Sequence, residues 1–98
     1  MAELLRTDGT VQTVTPADGK HFSLQELQGF VGGYIELVCY DPDPANIAIC
    51  NEEGKIYDLP HNPAATRRAR LWPRDYAVGD WLFCKRSDLE SEEDDQDT

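Results

Sequence analysis

Hydrophobic and polar positions change their period several times along the chain, and each change marks an element. "ELLRTDGTVQTVTP" is two strand-like runs around Asp8-Gly9, a pair that favours a tight turn with positive φ. Pro16 ends the second run. "SLQELQGFVGG" then switches to helical spacing, with Leu24, Leu27, Phe30 and Val31 on one face. Ser23 is the N-cap, and Glu26, three residues on, completes a capping box. Phe22 is placed to staple against Leu27, and Gly32-Gly33 stop the helix through a left-handed cap.

"YIELVCY" returns to a period of two. Tyr34, Glu36, Val38 and Tyr40 face one way, and Ile35, Leu37 and Cys39 the other; the second, more apolar set is expected to face the helices. "NIAICN" and "KIYDL" read as two further strands joined by a tight hairpin at "NEEG", where Gly54 tolerates positive φ. Asn62 as N-cap and Pro63 at the first helical position open a second helix that can run to Leu71. "YAVGDWLFCK" is the last strand, with Gly79 marking a bulge or a close backbone approach. The order ββ-α-βββ-α-β predicts an α+β fold: a small, mostly antiparallel, curved sheet, two short helices, and a helix packed on one face.

Length and charge refine this picture. The 98 residues fit one domain, no apolar run reaches the roughly 18 residues of a membrane span, and the N-terminus lacks the pattern of a signal peptide. A soluble, cytoplasmic protein is expected. The net charge of −10 is uneven: residues 86–98 carry seven acids and one base, which leaves −4 on residues 1–85. The tail has almost no apolar residues to offset the entropy of ordering. The expected organisation is one domain over 1–85 and a disordered acidic tail over 86–98. Direct binding to nucleic acid is disfavoured, because a chain of this charge repels phosphates at long range. Cys39, Cys50 and Cys84 each end an apolar run without a CxxC, which fits free, mostly buried thiols.

Three groups of residues could carry binding. In "NEEGK", Asn51 with Glu52 or Glu53 could grip a ligand while Lys55 pairs a phosphate or carboxylate; turn geometry alone also explains the pattern. Glu36 in "VGGYIELV" could share a cleft with Tyr34, or simply lie on the polar face of its strand. In "TRRARLWPR", helical spacing groups Arg67, Arg70 and Arg74, with Arg68 about 100° away. Arginine forks hold phosphate or carboxylate, and Thr66 and Asn62 add polar groups; a solvated basic face is the plain alternative. His21 and His61 have no companion ligands, so no metal or cofactor is expected. No nucleophile–base motif, P-loop or HExxH is present, and an enzyme is not expected.

The runs "FSLQELQGFVGGYIELV", "NEEGKIYDLPHNPAAT" and "DYAVGDWLFC" together resemble a family of small domains of unknown function encoded by phages, plasmids and other bacterial mobile elements. The matching positions include Val31, Gly32, Gly33, Ile35, Glu36, Asn51 to Lys55, Leu59, Pro60, Asn62, Ala65, Val78 and Gly79, within roughly residues 10–85; the acidic tail is not part of the pattern. The resemblance implies a mobile-element accessory protein and transfers no catalytic residue. The leading expectation is a non-enzymatic interaction module that binds a host protein or a small anionic ligand and modulates host defence. A nucleotide-sequestering protein and an acidic DNA mimic are the alternatives. An exposed edge strand leaves a symmetric homodimer open.

Overall fold

The computed structural model of the chain describes residues 2–89. The elements are β1 (Ala2–Leu5), β2 (Val11–Val14), α1 (Leu24–Val31), β3 (Ile35–Val38), β4 (Asn46–Asn51), α2 (Pro63–Arg68) and β5 (Trp81–Lys85), followed by a 3₁₀ turn at Arg86–Asp88. The strands form one sheet in the order β2-β1-β5-β4-β3, and every pairing is antiparallel. The α+β class is as expected. The last strand in sequence is the central one.

Local chemistry sets most boundaries. Ser23 Oγ accepts the Glu26 N–H, while the Glu26 carboxylate accepts the Ser23 and Ala17 N–H groups. Those bonds hold the Glu26 carboxyl below its ordinary value. Gly32 ends α1 at φ 81°, a conformation that costs a glycine little. Leu27 and Val31 are buried as expected, but Leu24, at the first position of α1, is 54% exposed.

Central strands that are apolar at every position need cover on both sides. Ile47, Ile49, Leu82 and Cys84 pack with Leu27 and Val31 of α1, whereas Ala48, Cys50, Trp81 and Phe83 pack with Ala65 and Ala69 at α2. The two helices therefore cover opposite faces, not one. β3 divides accordingly: Ile35 joins the α1 side, Val38 and Tyr40 join the α2 side, and Leu37 and Cys39 stay exposed.

A strand at "KIYDL" does not form. Asn51 Oδ1 accepts the Glu53 N–H and turns the chain immediately after β4. Tyr57 N–H then bonds Glu53 O, and Leu59 N–H bonds Gly54 O, so residues 53–59 coil in helical-type turns. Gly54 is needed for room, since a Cβ there would lie 2.9 Å from Val78 Cγ2. Gly79 is the close approach expected: φ is 74°, and a Cβ would lie 2.9 Å from Leu59 Cδ1. α2 is shorter than expected, ending at Arg68 with Ala69 as its cap, while Arg70 turns left-handed at φ 57°.

Residues 86–89, placed in the tail on sequence grounds, are structured: Phe22 N–H bonds Asp88 O at 2.7 Å, and Leu89 bridges to Phe22. The rest of the expected tail lies outside the described residues.

Candidate functional site

α2 is only six residues long and leaves the β3 side of its face uncovered. A cleft of about 380 Å³ opens there. Its walls are Glu36 of β3, the turn through Glu52, Lys55 and Ile56, and the Asp75–Tyr76 segment. Val38, Cys50, Leu71 and Trp81 supply an apolar floor. Ile56 is 78% exposed at the rim. The volume is in the range of small-ligand pockets.

The rim is acidic. Among the described residues, neither Glu36 nor Glu52 has an ion-pair partner. Lys55 is the one cation of the walls, and it is taken: its Nζ donates to Asp75 Oδ1 and lies 4.3 Å from the centre of the Tyr76 ring. That hydrogen bond, helped by the Tyr76 N–H at 2.8 Å, holds the Asp75 carboxyl below its ordinary value. At the floor, Cys50 Sγ lies 4.0 Å from Glu36 Oε1. Burial pushes the Cys50 thiol up to about 12, and Glu36 and Asp75 add to the shift. The thiol is therefore held neutral and is a poor nucleophile.

The Tyr76 ring is fixed from a second side. His61 meets it edge-on with centroids 5.7 Å apart, and His61 Nε2 lies 3.4 Å from Thr66 Oγ1. Among the described residues, this is the one hydroxyl–imidazole hydrogen-bond contact. The hydroxyl is already committed, donating to Asn62 O at 2.8 Å and accepting the Ala77 N–H at 2.9 Å.

Of the residues singled out in sequence, Glu36, Asn51, Glu52 and Lys55 meet at this cleft. Asn51 is buried, and its amide is used on Val31 O and the Glu53 N–H. Asn62 is 0% exposed and fully engaged: it accepts the Ala65 N–H and donates to Leu5 O and Gly79 O. It builds the fold and touches no ligand surface. Tyr34 and Glu53 lie elsewhere, with Tyr57, in a shallow depression beside the end of α1. The Glu53 carboxylate, by its charge and a hydrogen bond, pushes the Tyr57 phenol up. Arg68 lies over the Phe83 ring at 4.7 Å and pairs with Glu3. Arg67 and Arg70 are exposed, lack partners among the described residues, and line neither the cleft nor the depression. The arginines therefore do not share the depression that holds Tyr34 and Tyr57.

Asp75 and Tyr76 were not among the sequence candidates. They stand twenty and twenty-one positions from Lys55, and no local pattern joins them to it. Among the described residues, no three His, Cys, Asp or Glu side chains cluster as a metal site, and no helix is long and apolar enough to cross a membrane. No curated protein and no solved structure matches the chain. Residues 4–97 match the family described as Domain of unknown function (DUF3846), and the chain belongs to that family.

Proposed function

We propose that the domain is a non-catalytic interaction module whose cleft receives a lysine or arginine side chain of a partner protein. One observation carries this reading: the Glu36 and Glu52 carboxylates stand at the rim without a cation of their own, above an apolar floor. A long basic side chain suits both parts, because its methylenes cover apolar surface while its charged end meets carboxylates. A small anion or a nucleotide is served less well, since three carboxylates, Glu36, Glu52 and Asp75, line the cleft against a single lysine. A non-enzymatic role is supported by the raised Cys50 thiol and the committed Thr66 hydroxyl. The resemblance to phage and plasmid domains supports a host protein as the partner, the bacterial cytoplasm as the place, and modulation of host defence as the consequence.

Fluorescence polarisation with a labelled arginine–glycine peptide, set against an acidic peptide of equal length, tests this. The Glu36→Gln/Glu52→Gln variant is expected to weaken binding of the basic peptide by about ten-fold or more. The acidic residues 90–97 add a nonspecific background that the substitutions leave unchanged. Equal binding by wild type and variant, or preference for the acidic peptide, would sink the proposal.

A further inference from the structure

The contact between Lys55, Asp75 and Tyr76 has the composition of a cation-binding site. A carboxylate and the face of an aromatic ring together bind ammonium and guanidinium groups. In this structure the ammonium is the chain's own: Lys55 Nζ donates to Asp75 Oδ1 and lies over the Tyr76 ring. The receiving side is built independently of that lysine. The Asp75 N–H bonds Leu71 O at 2.9 Å, the Tyr76 N–H bonds Asp75 Oδ1, and His61 flanks the ring. Asp75 Oδ2 has no hydrogen bond among the described residues, so the carboxylate keeps capacity for a second donor.

Lys55, by contrast, is held weakly. Its side chain is 48% exposed and that of Asp75 53%, and ion pairs at such exposure gain little. The lysine sits on the turn of residues 53–59, whose bonds do not depend on its side chain.

We infer that Asp75 and the Tyr76 ring are the subsite for the charged end of a partner's lysine or arginine, and that Lys55 is an internal ligand which the partner displaces. This rests on the reading of the cleft as a cation site. It assigns Lys55 the role opposite to that of an anion-gripping residue. A weak internal competitor lowers affinity modestly.

The test uses the full chain and n-butylammonium as the probe, with two readouts by nuclear magnetic resonance. In the wild type, Lys55 Nζ lies over the Tyr76 ring, and the ring current is expected to shift the adjacent ε-methylene protons upfield. Titration is expected to move them back to ordinary values as the Tyr76 amide responds. Lys55→Met is expected to bind the probe about five-fold more tightly, the factor that removing a weak exposed pair allows. Adding Asp75→Asn is expected to abolish that gain. The half-exposed Lys55 makes misfolding of the variant a minor concern, and the wild-type readout does not need it. If the probe moves the Glu36 and Glu52 amides while Lys55 stays over the ring, the inference fails and the cation cleft stands. If no cleft amide moves, both fail. Equal or weaker binding by Lys55→Met also overturns the inference.

Discussion

The side-chain amide of Asn62 donates a 2.8 Å hydrogen bond to the carbonyl of Gly79, and a second at 2.9 Å to that of Leu5. One buried residue thus ties the start of α2 to the end of β1 and to the approach of β5. Replacing Asn62 by alanine removes a hydrogen bond from each of two buried carbonyls and the cap of the Ala65 N–H. The expected cost is about 3 kcal/mol, seen in urea unfolding and as a midpoint lowered by roughly 12 °C or more. Asn62→Asp is expected to be no better. It restores the cap but offers no N–H to either carbonyl and buries a charge.

Arg68 is a structural arginine. It pairs with Glu3 and lies over Phe83, which covers the edge of the α2-side core. Arg68→Ala is expected to cost about 1 kcal/mol, because the ion pair is exposed to solvent and most of the loss is cover over the buried Phe83 ring. Added salt should reduce the difference between wild type and variant in denaturant melts. Binding of a basic peptide at the cleft should not change. Loss of that binding in the variant would place the recognition surface on the helix.

Asp75 makes the cleft sensitive to acid. Its folded pKa lies below the ordinary 3.8, first because Lys55 donates to it and second because the Tyr76 N–H does. A depressed carboxyl contributes stability that is complete above the unfolded value and lost as pH falls through the folded one. The Asp75 contribution should therefore be constant above about pH 5 and be lost progressively as pH falls from about 4 through the still lower folded value. Carbon-detected titration of the Asp75 carboxyl should give a midpoint below 3.8, and Lys55→Met should raise it. An unchanged midpoint in that variant would show that the ion pair is not formed in solution.

The three thiols should differ in reactivity. Burial pushes both Cys50 and Cys84 up to about 12, whereas Cys39 is exposed just past the end of the edge strand β3. Iodoacetamide at pH 8 should label Cys39 alone in the native protein and all three cysteines in denaturant. Raised thiol pKa values also contribute stability that is complete below the ordinary 9.0 and lost as pH rises towards 12. Fast native labelling of Cys50 would mean that burial does not hold its thiol neutral.

The sequence was most informative where a residue's role is local. Ser23 with Glu26, Gly32, and Asn62 before Pro63 act on backbone groups within a few positions, and each does what its type and spacing imply. "KIYDL" misled for a matching reason. Ile56 and Tyr57 are strand formers, but that preference reflects packing on a half-buried sheet. The Asn51 side chain turns the chain first, and both residues end up exposed. The continuous apolar runs "IAIC" and "WLFC" were the available sign that the sheet is covered on both faces. One polar side of the cleft was legible, because Glu36, Asn51, Glu52 and Lys55 lie in short polar motifs. Asp75 and Tyr76 were not, since only the return of the chain after α2 brings them to Lys55.

The most direct test of the central claim is a map of where a free guanidinium binds. N-acetyl-arginine amide would be titrated into the isotope-labelled full chain, with adenosine monophosphate as the anionic comparison. The cation is expected to move the amides of Glu36, Glu52, Ile56 and Tyr76 together, and the nucleotide to leave them unmoved. A response to the nucleotide centred on Arg67 and Arg70, with the cleft amides silent to the cation, would contradict the cation cleft and restore the arginine surface as the binding site.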